Sequence, residues 1–268
     1  MFNQRTGNGI LSDDENIVAS VQSFVRGLAV IRAFDGAGTG MTLTEIAARA
    51  DLSRAGARRL LYTLCNEGYA RTDGKHFWLT PRVLDLGYSY LSSMPLWGFA
   101  QQYLDDLRRT LRESASLSVL DGDDVVYIMR AQTDRILTSH LGVGSRLPAH
   151  VVSMGRVLLA GLSDQSLRAY LTRASLEAFT PHTVTNAEKL REALMTVRQQ
   201  GYALVDRELD IGISGIAVPV RDRSGQTIAA INVNFHPDRA RDQAAQSMIL
   251  EHLRRVQQQV EALIAARA

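Results

Sequence analysis

Two short amphipathic segments joined by a tight turn constrain this chain more than any other feature. Thr42 stands where a helix N-cap is needed and Glu45 follows three residues later, the spacing of a capping box. Leu43, Ile46, Ala47 and Ala50 then supply a buried stripe. After the turn Asp51-Leu52, Ser53 can cap a further helix whose apolar face is Ala57, Leu60, Leu61 and Leu64, and Gly68 ends it. Upstream, Val21, Phe24, Val25, Leu28, Ile31 and Ala33 recur near helical spacing until the run DGAGTG breaks the pattern. Three helices with a tight turn between the second and third predict a helix-turn-helix.

The face of the third helix opposite its core presents Arg54, Ala55, Arg58, Arg59 and Tyr62, and the small residues Ala55 and Gly56 let the helix start approach a groove closely. Arginine pairs bidentately with guanine edges, whereas Ser53 and the helix N-terminus suit phosphate, so contacts are expected to divide between reading and positioning. Taken alone, the same arginines would fit a solvated surface helix; the capped helix before them turns the reading toward DNA. Next, Tyr69-Ala70-Arg71 and His76-Phe77-Trp78-Leu79 flank the turn Thr72-Asp73-Gly74-Lys75, which reads as a hairpin wing. Arg71 and Lys75 near its tip are candidates for backbone phosphate, with simple solvation as the alternative. Pro81 fits the first turn of a linker helix running through Ser92, where Val83, Leu84, Leu86, Gly87, Tyr90 and Leu91 form an apolar face. So much exposed apolar surface is expected to pack on the same helix of a second chain.

Length and composition fit this beginning. At 268 residues the chain exceeds a typical single domain. No apolar run approaches the roughly 18 residues of a membrane span. The first 16 residues are polar and acidic, unlike a secretory signal, and are expected to be a disordered arm. Cys65 is the single cysteine, so no intrachain disulfide can form, and a reducing cytoplasm is expected. A net charge of +2 does not decide about nucleic acid, because a local patch binds phosphate regardless of the total. Lys75 and Lys189 are the only lysines, an arginine bias given no functional weight.

Beyond residue 96 the pattern changes. Phe99, Tyr103, Leu104, Leu107 and Leu111 mark a helix, and alternating segments at Ala115–Leu120 and Asp124–Ala131 turn at Asp121-Gly122. A strand is expected over Ile136–Leu141, and helices over Ser153–Ala160, Asp164–Leu171 and Glu188–Gln200. The β-rich runs Ile213–Val220 and Thr227–Asn234 are joined by a loop containing Gly225, and a long helix over Gln246–Ala265 closes the chain. Hairpins in place of strand-helix-strand crossovers imply a mostly antiparallel sheet. Asn232 and Asn234 alternate with Ile231, Val233 and Phe235, so both amides share one sheet face. Either that face is inner and meets a ligand, or it is solvated and the apolar residues are buried instead.

The helix-turn-helix ending LLYTLCNEGYAR, the segment GSRLPAHVVSMGRVLLAGL and the pair GISGIAVPV and AAINVNFHP together resemble the IclR family of bacterial regulators, over about residues 20 to 265. The runs VQSFVRGLAVIRAF, SRLPAH and SMGRVLLA look most like the subgroup controlling aromatic-acid catabolism, such as protocatechuate and 4-hydroxybenzoate regulators. The resemblance implies an α+β chain: a winged helix-turn-helix, a linker helix and a GAF-like effector-binding domain. It also implies a homodimer or tetramer on a palindromic operator, and a pocket between the sheet and the loop opening the Ser153 helix. Carried over position by position, that pocket takes Ser153 and Met154, Gly215, Asn232 and Asn234. The family often has Ser, Thr or Cys where this chain has Gly215, Asn232 and Asn234. A helix start offers free N–H groups to a carboxylate, so Ser153, Met154 and Gly155 are expected to anchor an acid. Arg146, His150, Asp206, Arg207 and Glu208 lie on neighbouring segments, and Arg146 is the expected carboxylate partner because its guanidinium binds bidentately.

The expected domains are an arm at 1–16, a DNA-binding unit at 17–80, a linker helix at 81–95 and an effector domain at 96–268. Enzyme signatures do not stand out: Gly142-Val143-Gly144 fails the dinucleotide spacing at Leu147, and no phosphate-cradling loop occurs. His140, His150, His182 and His236 are scattered singly, so neither a metal nor another cofactor is expected. The remaining alternatives are a sensor of small aliphatic acids, and a constitutive DNA-binding dimer whose second domain has a dry, apolar interior.

Overall fold

The computed structural model describes residues 20–38, 40–94, 98–133 and 141–267. The expected N-terminal arm, and residues 136–140 of the strand expected at Ile136–Leu141, lie outside them. The chain divides between Ser93 and Met94 into two compact units.

In the first unit, α1 (Gln22–Arg32), α2 (Leu43–Arg49) and α3 (Arg54–Asn66) pack around Val30, Ala33, Met41, Ile46, Leu61 and Phe77. The capping box forms as the sequence demands: Glu45 N donates to Thr42 Oγ1 at 3.4 Å, and Thr42 N donates to Glu45 Oε2 at 2.7 Å. Ser53 Oγ accepts from Gly56 N at 3.2 Å at the start of α3. At the other end, Gly68 takes φ +79°, and Tyr69 N reaches back to Leu64 O while Gly68 N reaches Cys65 O. That pair of bonds is a Schellman motif, and it needs the left-handed conformation glycine adopts without strain.

Strands β1 (Met41–Thr42), β2 (Ala70–Thr72) and β3 (His76–Leu79) form an antiparallel sheet in the order β1-β3-β2. The two-residue β1 leaves no alternation for the sequence to show. Helix α4 (Val83–Ser93) follows, beginning two residues after Pro81, and buries none of its residues.

The second unit is a six-stranded sheet between two helical layers. In chain order it runs α5 (Ala100–Leu111), β4 (Ser114–Asp121), β5 (Asp124–Ala131), β6 (Arg146–Pro148), a 3-10 turn at Ala149–Val151 and α6 (Ser153–Ala160). Then come α7 (Asp164–Arg173), α8 (Ala187–Gln200), β7 (Ala203–Asp206), β8 (Ser214–Arg221), β9 (Thr227–Phe235), α9 (Pro237–Ala240) and α10 (Gln243–Arg267). All pairings are antiparallel, in the order β6-β5-β4-β9-β8-β7.

One sheet face, with Val125, Tyr127, Ala203, Ala217 and Ala230, packs against α6 and α8. The other, with Leu117, Ile216, Val218, Ile231 and Val233, is buried toward α5 and α10. Each Leu, Ile or Val side chain so removed from water stabilises the fold by roughly 1.5–3 kcal/mol. A sheet covered on both faces resolves the choice posed by Asn232 and Asn234: their face is inner, and so is the face opposite.

Gly155 permits the tight join between α6 and the 3-10 turn, since a Cβ there would lie 2.0 Å from Ala149 O.

Candidate functional site

In the first unit, Ala57 and Leu61 anchor α3, and helical geometry then turns Arg54, Ala55, Arg58, Arg59 and Tyr62 outward. None of the three arginines has a carboxylate partner among the described residues. Arg58 lies over the Tyr62 ring at 5.6 Å, and Tyr62 meets Phe77 edge to face at 6.1 Å, so the outward face is braced against the wing strand β3. On the wing, Asp73 Oδ1 accepts from Lys75 N at 2.8 Å and His76 N at 2.7 Å. Those two backbone donors hold the Asp73 carboxyl down to about 2. Gly74 takes φ +95° and Lys75 projects from the turn, exposed. Arg71 stacks on Trp78 at 4.4 Å and is also exposed. Arginines free of carboxylates beside a short basic wing make a surface that complements a polyanion.

In the second unit, strand register assembles a row that the sequence conceals. Ser116 on β4 pairs with Arg130 on β5 and with Asn232 on β9, and Asn232 pairs with Ala217 on β8, so Arg130, Ser116, Asn232 and Ala217 stand in line on the inner face. A bulge beside Leu117 and Ser118 shifts the β5 register there and sets Tyr127 opposite Ser118. Among the described residues, the buried side-chain nitrogens and oxygens without a hydrogen-bond partner are Ser116 Oγ, Arg130 Nε and Nη2, and Asn232 Oδ1. All four belong to this row.

Arg130 donates from Nη1 to Leu141 O at 2.9 Å and lies 5.6 Å from the Tyr127 ring centre. Burial pushes its guanidinium below the usual arginine range. Burial likewise raises the Tyr127 phenol, although Arg130 and a hydrogen bond with Asn234 oppose the shift. Asn232 Nδ2 donates to Asn234 Oδ1 at 2.8 Å. Asn232 is 1% exposed and Ser116 fully buried. Leaving such groups unpaired costs about 1–3 kcal/mol each, so a row of them marks a place where a polar partner belongs.

The expected residues divide into those on this face and those engaged elsewhere. Ser153, Met154 and Gly155 open α6 without a side-chain cap, and all three are buried. Met154 Sδ accepts from Ser118 Oγ at 3.0 Å. Gly215 sits where a Cβ would fall 2.6 Å from Asn234 Oδ1 and 3.0 Å from Ser153 Oγ, so its missing side chain lets α6 and β9 close on one another. Arg146 is a correction. Leu147 faces the core beside Val125, so alternation turns Arg146 to the opposite side of edge strand β6, where it binds Asp121 at 2.5 Å and Asp124 at 3.2 Å.

Asp206 is tied to Arg207 at 2.8 Å and to Ser214 Oγ at 2.5 Å. Burial alone would raise its carboxyl, but these two donors outweigh burial and lower it. Glu208 forms a buried ion pair with Arg156 at 2.6 Å and accepts from Val184 N at 3.0 Å. Here burial dominates and the Glu208 carboxyl is raised despite Arg156. Arg156 Nε also donates to His150 O, and His150 Nε2 lies 3.1 Å from Glu177 O. These residues brace segment 177–184 against α6.

Sequence reasoning missed Arg130, Ser116 and Tyr127. The signal available was the alternation Ser114, Ser116, Ser118 within a strand, polar where a covered sheet should be apolar. Among the described residues no cluster of three or more His, Cys, Asp or Glu side chains suits a metal ion, and no helix is long and apolar enough to cross a membrane.

Known proteins agree with this architecture. The family model for the IclR helix-turn-helix domain matches residues 23–74, and that for the bacterial transcriptional regulator IclR C-terminal domain matches residues 88–262. The Pca regulon regulatory protein of Pseudomonas putida is 48% identical over 81% of this chain and 75% of its own length. The p-hydroxybenzoate hydroxylase transcriptional activator of Acinetobacter baylyi is 36% identical over 91% of this chain and 92% of its own. Among solved structures, a transcriptional regulator from Rhodococcus superposes with a TM-score of 0.84 at 44% identity, covering 93% of this chain and 100% of that one. An IclR homologue from Microbacterium hydrocarbonoxydans, complexed with 4-hydroxybenzoate, superposes with a TM-score of 0.80 at 26% identity, covering 90% and 98%. With an exposed arginine helix in one unit, a polar row in the other and both family models matched, the chain belongs to the IclR family of bacterial transcriptional regulators.

Proposed function

We propose that this chain controls genes of aromatic-acid catabolism by coupling occupancy of the inner sheet face to operator binding. The row Arg130, Ser116, Asn232 is the observation that carries the effector half of the reading. An interior meant only to pack would be dry and apolar, whereas this one keeps, among the described residues, four polar atoms without partners. An acid supplies acceptors to Arg130, and an aromatic ring suits the surrounding Tyr127 and Met154. The 4-hydroxybenzoate in the Microbacterium homologue and the regulatory roles of the two bacterial relatives support an aromatic acid as effector.

On the DNA side, α3 enters the major groove with Arg54, Ala55, Arg58, Arg59 and Tyr62 toward the bases. Ser53, Arg71 and Lys75 position the unit on phosphate. Two copies act together on a palindromic operator. Support for a homodimer comes from apolar side chains exposed on the first unit: Phe24 at 68% on α1, and Leu84 at 73% and Tyr88 at 59% on α4. The effector changes operator occupancy only if it prefers one arrangement of the dimer over another. The protein acts in the cytoplasm as a regulator and not as an enzyme.

A thermal-shift series on the full chain tests the effector reading, because a ligand bound to the native state raises its stability. A saturable rise with 4-hydroxybenzoate or protocatechuate is expected. A response confined to short aliphatic acids would discard the aromatic effector. No response to any acid would overturn acid sensing.

A further inference from the structure

Resting on the acid-sensing reading, we propose that the inner face recognises a bifunctional acid: Arg130 takes its carboxylate, and Asn232 with Ser116 takes a second polar group at the far end. The two atoms of Arg130 without partners are not an arbitrary pair. Nε–H and the Nη2–H beside it lie in the guanidinium plane, point the same way along one edge and form the fork that matches the two oxygens of a carboxylate. The remaining nitrogen, Nη1, is held by Leu141 O at 2.9 Å, which fixes the plane and leaves the fork open. No carboxylate among the described residues meets it. Of the arginines expected at this site from sequence, Arg146 is spent on Asp121 and Asp124.

The other end of the row has the opposite polarity. Asn232 donates through Nδ2 to Asn234, and its Oδ1 is the acceptor left over, buried and without a donor. Ser116 Oγ, able both to donate and to accept, stands between the two ends. Adjacent strands lie about 4.8 Å apart, so the backbones of Arg130 and Asn232 are about 10 Å apart with one strand between them. A ligand pairing only with Arg130 would leave Asn232 Oδ1 and Ser116 Oγ as they are. One that carries a hydroxyl opposite its carboxylate satisfies both ends, because the hydroxyl donates to Asn232 Oδ1. A site built to hydrogen-bond a substituent rejects the analogue lacking it far more strongly than an apolar pocket does.

A hydroxylated aromatic acid has this chemistry, whereas the second carboxylate of an extended diacid only accepts, and titration calorimetry on the full chain separates them. The probes are 4-hydroxybenzoate, adipate, benzoate and 4-fluorobenzoate, the last close to the hydroxyl in size but unable to donate. 4-Hydroxybenzoate is expected to bind at least about tenfold tighter than adipate, benzoate and 4-fluorobenzoate. Asn232→Leu is expected to close that gap to within about twofold. Should that variant not fold, Ser116→Ala reads the same end and is expected to narrow the gap.

Arg130→Met is expected to abolish binding of every acid while raising the unfolding midpoint of the ligand-free protein, because it removes two buried donors that have no partner. A purely structural arginine would lower the midpoint instead, and that result, or unchanged acid binding in Arg130→Met, overturns the anchor. Benzoate, 4-fluorobenzoate or adipate binding as tightly as 4-hydroxybenzoate overturns the second pole and leaves acid sensing intact. Silence of all four probes with the unaltered chain sinks the acid-sensing reading itself.

Discussion

The arginines of α3 and the arginine of β5 are the same residue type in opposite settings, and the difference separates two kinds of readiness. Arg54, Arg58 and Arg59 are exposed, and water solvates them at little cost until a polyanion displaces it. Their freedom from carboxylates is therefore compatible with many roles, and it is the capped helix-turn-helix beneath them that points to DNA. Arg130 has no such cheap alternative. Its fork is withdrawn from water and unpaired, so the ligand-free fold bears the cost. An unpartnered charge is weak evidence on a surface and strong evidence in an interior.

Arg156 supplies the third case, a buried arginine that is paired, and it gives the largest expected effect. Arg156→Ala leaves Glu208 buried without its partner and is expected to lower stability by about 3–5 kcal/mol in urea denaturation. Arg130→Met sharpens the contrast, because removing an arginine without a carboxylate is expected to raise ligand-free stability by about 1–3 kcal/mol. If both substitutions destabilised alike, the distinction between paired and waiting interior arginines would collapse. Arg58→Ala belongs to the exposed class. Stability is expected to stay within about 0.5 kcal/mol, while operator binding weakens by about 1–3 kcal/mol with relaxed base preference and unchanged effector binding. Unchanged operator affinity would return Arg58 to plain solvation.

The smallest effect concerns the wing. The Asp73 carboxyl lies at about 2, below its ordinary 3.8, so its contribution is present above 3.8 and is lost as pH falls through about 2. Protection of the Lys75 and His76 amides from hydrogen exchange, relative to unstructured peptide, is expected to fall across that acid window, and Asp73→Ala should bring the lower protection to neutral pH. Protection independent of both changes would mean that these bonds do not hold the turn.

Local patterns made much of the fold legible. Caps at Thr42 and Ser53, the stop at Gly68 and the hairpin around Gly225 are short-range chemistry, visible in consecutive residues. The strands β1, β6 and β7 were not visible, because two to four residues give alternation no room. The site was legible on one strand only. Asn232 and Asn234 stood out by alternating with apolar neighbours, but their partner Arg130 is about a hundred residues distant and joins them through β4. Arg146 drew the carboxylate assignment that we propose for Arg130 because the face a strand residue occupies follows from register, and a slip by one reverses every side chain.

On this reading, occupancy of the Arg130 row alters the grip of α3 on DNA. Fluorescence anisotropy with a labelled operator fragment, titrated with the full chain in the presence and absence of the best-binding acid, tests it directly. The acid is expected to shift operator affinity for the unaltered chain and to leave Arg130→Met unmoved. An equal shift in both proteins, or no change in affinity or in the bound complex when the acid is demonstrably bound, would contradict it.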